Sequence, residues 1–183
     1  MDLLMFLSQL PASPSSLRVM VWRRMKSAGA LGLQNGVWVL PRSPEHERFL
    51  LDLLRNVESQ SASGQIFIVQ PANEAVQQDI QDRFRMEREE EYAEFQERSQ
   101  EFLDEIEKES AKQKFTFAEL EENEQDLQRL TTWLEKIQKR DFAGGEKKQA
   151  AAQTLKKCLA SLEIFSTEVY NRQAPSNHPN EKD

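Results

Sequence analysis

The chain has 183 residues, 30 % of them charged, with a formal net charge of −7. That length suits a small domain with an appended segment, and the acidic balance opposes general attraction to nucleic acid or to anionic membranes. The single cysteine, Cys158, excludes an intrachain disulfide and a multi-cysteine zinc site.

The charge is unevenly spread. Residues 1–72 hold seven Lys/Arg against five Asp/Glu, and residues 73–183 hold seventeen against twenty-six, which together make up the 24 and 31 of the whole chain. An anion-binding surface is therefore expected in the first part. The start, MDLLMFLSQL, has an acid where a signal peptide needs positive charge, and no apolar run reaches the roughly 18 residues of a membrane span. A cytoplasmic protein with no membrane contact is expected.

Residues 3–10 form a short apolar run ended by PASPSS, which reads as a strand and a loop. Leu17, Met20, Val21, Met25 and Ala28 then recur at helical spacing over residues 15–28, with Gly29 placed to end the helix. ALGLQ and VWVLP flank Asn35-Gly36, a pair suited to a type I′ hairpin turn, where both central residues need positive φ. That turn sets Leu33 opposite Trp38 and Leu31 opposite Leu40, with all four on one face.

Ser43-Pro44-Glu45 is a helix start, combining an N-cap, proline at the first helical position and acid in the first turn. The helix extends to about residue 58 with Phe49, Leu50, Leu53, Leu54 and Val57 inward. After the polar SQSASG loop, QIFIVQP reads as the last strand. The order βαββαβ with right-handed crossovers predicts an α+β, ferredoxin-like domain over residues 1–72, a four-stranded antiparallel sheet covered by two helices. LLMFL and IFIV are apolar at consecutive positions, so the second sheet face is expected to meet a partner subunit or the rest of the chain.

Residues 73–172 read as a helical extension of antiparallel-bundle or coiled-coil type, with helices over 73–112, 116–140 and 146–172. Val76, Ile80, Phe84, Tyr92, Phe95, Phe102 and Ile106 mark the first seam. Thr116-x-x-Glu119 is a capping box, with Phe115 and Leu120 as its hydrophobic staple. Gly144-Gly145 separates the last two helices, and Leu155, Leu159, Leu162, Phe165 and Val169 mark the final seam. Residues 173–183 have nothing to bury and are expected to be disordered.

The run Val21-Trp22-Arg23-x-Met25-Lys26-x-x-Gly29-Ala30-x-x-Leu33-x-x-Gly36-Val37-x-x-Leu40-Pro41, preceded by LLMFLSQLPASPSS, resembles the N-terminal domain of the chromate-resistance regulator ChrB. It is similar also to segments of PaaX-type repressors. The resemblance implies a ferredoxin-like domain followed by helices, in a cytoplasmic protein tied to transcriptional control of chromate efflux and to chromate sensing. Family members often carry a further C-terminal domain that this sequence does not include, so the resemblance concerns the N-terminal scaffold.

Arg18, Arg23, Arg24, Lys26 and Arg42 are the candidate site. Guanidinium and ammonium groups can neutralise DNA phosphates or hold a tetrahedral oxyanion such as chromate. The commoner meaning of such residues is a solvated helix face, and Arg23 and Arg24 point about 100° apart. Trp22 and Trp38 are expected as core or interface anchors. Cys158 is expected buried, and the Glu87–Glu91 run with Arg83, Arg85 and Arg88 reads as a solvated face with ion pairs one turn apart. His46 and His178 have no partners at metal spacing, and no phosphate loop, nucleophile triad or buried carboxylate pair is present. The expected protein is thus a non-enzymatic regulator without a cofactor, homodimeric, with DNA or an oxyanion as ligand. The alternative is a protein-interaction module that binds no nucleic acid.

Overall fold

The computed structural model describes residues 1–13 and 15–173. Of the expected disordered tail, all but Gln173 lies outside the described residues, as does His178. The element order is β1 (Leu3–Gln9), α1 (Ser16–Ser27), β2 (Leu31–Gln34), β3 (Val37–Pro41), α2 (Pro44–Ser59), β4 (Ser63–Val69), α3 (Glu74–Ala111), α4 (Phe117–Lys139) and α5 (Glu146–Gln173). The class is mixed α+β, and the four strands form one antiparallel sheet in the order β2-β3-β1-β4.

Local chemistry accounts for the helix ends. Ser43 Oγ accepts a hydrogen bond from His46 N–H at 3.1 Å, ahead of Pro44 at the first helical position of α2. α1 stops in a Schellman motif: Ala30 N–H donates to the Met25 carbonyl and Gly29 N–H to that of Lys26, with Gly29 at φ +78°. The same motif ends α3 without a glycine. There Gln113 takes φ +56°, while Lys114 N–H reaches the Glu109 carbonyl and Gln113 N–H that of Ser110. Thr116 Oγ1 caps α4 by accepting from Glu119 N–H at 3.2 Å.

The chain divides into two compact units. One comprises Met1–Arg88 with Lys139–Ala143, and the other Glu89–Gln138 with the chain from Gly144 onward. In the first unit Leu17, Val21 and Met25 of α1 and Leu50, Leu53 and Val57 of α2 bury against Leu4, Phe6 and Leu40 on one sheet face. The opposite face is covered by the first part of α3, where Ile80 and Phe84 pack on Leu3, Leu31 and Val39. Val76, expected on this seam, is exposed.

The hairpin departs from its expected register. Gln34 pairs with Val37, but Gly32 then pairs with Trp38 and Leu31 with Val39, so Leu33 is an extra residue in a bulge. Only Gly36 of the turn pair has positive φ, so the turn is not type I′. With the one-residue shift, Leu31 and Val39 face α3, while Leu40 and Trp38 face α1 and α2.

The second unit is built from α3, α4 and α5 around Phe95, Phe102, Leu127, Leu134, Ile137, Phe165 and Val169. Phe95 meets Trp133 and Glu109 meets Asn123, so α3 and α4 run in opposite directions. On α5 the inward residues are Ala151, Cys158, Leu162, Phe165 and Val169, whereas Leu159 is exposed. Cys158 occupies the seam expected for Leu159 because positions 151, 158, 162, 165 and 169 follow the three- and four-residue rhythm of one helix face.

Candidate functional site

The helical wheel of α1 sets its buried stripe, Leu17, Val21 and Met25, against an outer face carrying Arg18, Val19, Trp22, Arg23 and Lys26. Trp22 is 53 % exposed and Val19 40 %. Of the two places expected for it, core or interface, Trp22 is not in the core: one position beyond Val21 turns the side chain about 100° away from the sheet. Trp38 is half-buried, packs with the α1–α2 core, and lies against Gly32, where a Cβ would stand 3.4 Å from its ring.

The five candidate cations do not converge. Arg18 is exposed, and its Nη2 donates to the Ala12 carbonyl at 2.7 Å. Arg23 is exposed, and its side chain has no hydrogen bond or ion pair among the described residues. Arg24 is half-buried, with its guanidinium 5.5 Å from the Phe49 ring centre. Lys26 Nζ is 2.7 Å from Glu87 Oε2, and Glu87 also accepts from the buried Arg88 at 3.2 Å. Arg42 lies beyond α1, at the end of β3, held by Glu47 at 2.8 Å and Asp2 at 3.6 Å. Hydrogen bonding to Glu47 raises the Arg42 pKa further, and the Gln70 amide, followed by Arg42, lowers that of Asp2. Lys26 and Arg42 are thus neutralised by carboxylates. Arg18 and Arg23, flanking Trp22, remain as charges facing solvent.

The acidic run is not wholly a solvated face. Arg83 and Arg85 pair one turn away not with the run but with Asp79 and Asp82, which precede it. Glu87, however, bonds Lys26, which is 61 residues distant, and Arg83 Nη2 donates to the Gly32 carbonyl on β2 at 2.8 Å. Sequence spacing carries no signal for either contact.

A cleft of about 760 Å³ lies between α3 and α4, with Phe102, Leu130 and Trp133 among its lining residues. Its three cations are each satisfied within it: Arg98 by Glu101, Lys114 by Glu119 and Arg129 by Asp126. Glu105 and Glu122 add further acid, so the cleft disfavours phosphate and chromate alike. Glu109 is buried, and Asn123 Nδ2 donates to it at 2.7 Å. Burial pushes its pKa up to about 7, while a hydrogen bond from Glu109 lowers that of Glu119. Among the described residues no group of three His, Cys, Asp or Glu could hold a metal ion, and no helix is long and apolar enough to cross a membrane.

A family model described as "Protein ChrB, N-terminal" matches residues 18–176. The chain belongs to this ChrB N-terminal family. The matched span includes all five candidate cations and both tryptophans of the first unit. No significant match was found among curated proteins or among solved structures.

Proposed function

We propose that this ChrB N-terminal family member is a chromate-resistance-associated regulator without enzymatic activity, acting in the cytoplasm. Its outer α1 face would contact the phosphate backbone of DNA. The βαββαβ order and the strand order β2-β3-β1-β4 support a ferredoxin-like arrangement of its first unit. The observation that carries the reading is the placement of Arg18 and Arg23 on either side of the exposed Trp22, with neither arginine held by a carboxylate. Two guanidinium groups about 140° apart around a helix axis suit successive phosphates better than one oxyanion. DNA is accordingly favoured over direct chromate capture at this face.

The alternative, a protein-interaction module, draws on the same surface, because an exposed tryptophan beside arginines is a common interface anchor. Electrophoretic mobility shift across salt concentrations separates the two. Phosphate-driven binding weakens steeply with salt. Failure to shift any duplex at low salt rules out the DNA reading and leaves the interaction module.

A further inference from the structure

The two edges of the sheet are treated differently. β2 has only four residues, is broken by the bulge at Leu33, and has its Gly32 carbonyl occupied by the Arg83 guanidinium. Shortness, a bulge and a charged side chain are the usual means of blocking strand addition. β4 has none of them. Its seven residues pair with β1 without a break, from Leu3 opposite Val69 to Gln9 opposite Ser63. Residues 59–73 contain no charged side chain, and Phe67 and Ile68, on opposite sides of the strand, are 42 % and 56 % exposed. Alternate residues of β4 direct N–H and C=O away from β1. Among the described residues, no further strand pairs with that outer edge and no side chain hydrogen-bonds to it.

We infer that the outer edge of β4 pairs antiparallel with β4 of a second copy of this chain, joining two four-stranded sheets across a twofold axis near Ile66. The occupant follows from charge. Two molecules each carrying −7 repel over most of their surface, whereas two copies of this neutral strand meet without like charges facing. In the register centred on Ile66, Ile68 of one copy comes opposite Gly64 of the other, which lacks a side chain to obstruct it. This deepens the expectation of a homodimer and is independent of DNA binding, since it is measured on protein alone.

The test is sedimentation equilibrium of the whole chain beside the double variant Phe67→Lys/Ile68→Lys, whose new charges replace exposed side chains. The native chain is expected to dimerise reversibly, and the variant to do so at least about tenfold more weakly with an unchanged circular dichroism spectrum. A native chain that stays monomeric up to about 100 µM overturns the inference, as does a folded variant that dimerises like the native chain. Should the variant fail to fold, hydrogen exchange on the native chain decides. Protection of residues 63–69 is expected to rise with protein concentration while β2 stays constant, and a dimer that forms without added protection in β4 overturns the pairing.

Discussion

Asn123 of α4 donates its side-chain amide to the buried carboxyl of Glu109 on α3 at 2.7 Å, fastening the two helices near the turn that joins them. Glu119 lies beside the same carboxyl, and a proton held on Glu109 would let the two carboxyl groups share this corner.

Stability of the helical unit is therefore expected to fall as pH rises. A carboxyl whose folded pKa, about 7, exceeds the ordinary 4.5 of a glutamate favours the fold fully below 4.5 and loses that contribution as pH climbs through 7. The loss is at most about 3 kcal/mol. Glu119, with its pKa lowered first by the bond from Glu109, has the opposite sign and acts only as pH falls below its ordinary range. Thermal melts at pH 5 and pH 8 check this. Glu109→Gln should abolish the difference, and a native melting temperature that rises between those values would contradict it.

Arg23→Ala should leave the melt unchanged, because Arg23 is exposed and has no hydrogen bond or ion pair among the described residues, but reduce the salt slope of DNA binding by about one. Arg24→Ala is expected to act the other way. It removes the cation lying over Phe49 and costs about 0.5–1 kcal/mol of stability with little effect on the slope.

The two tryptophans should separate function from stability. Trp22→Ala, at an exposed position, is expected to shift stability by less than about 0.5 kcal/mol while weakening whichever partner the α1 face binds. Trp38→Ala should cost about 2 kcal/mol, less than the ~3–5 of a fully buried ring because Trp38 is half-buried. Urea unfolding of both variants measures the contrast.

Gln113→Gly is expected to stabilise the chain by about 0.5–1 kcal/mol, since a side chain at φ +56° holds a conformation that glycine adopts freely. Gly36→Ala should do the reverse by about 2 kcal/mol or more. Gly36 sits at φ +77°, and a Cβ there would stand 2.5 Å from the Ser8 carbonyl oxygen. Paired chemical denaturation curves test both.

What the sequence determined alone was the local grammar. The order of strands and helices, the Ser43 and Thr116 caps and the Gly29 stop all depend on residues within about one helical turn of each other. Four of the five candidate cations, Arg18, Arg23, Arg24 and Lys26, were legible as residue types on a short helix, and so was their spread around it. The tertiary structure decided the rest: the bulge at Leu33, the outward turn of Trp22, the Lys26–Glu87 pair and the Asn123–Glu109 fastening. Each depends on contacts between different elements, as Lys26 and Glu87, 61 residues apart, show. A guanidinium that meets a carboxylate is neutralised and one that does not faces solvent, so which cations of α1 stay free depends on packing that helical periodicity does not encode.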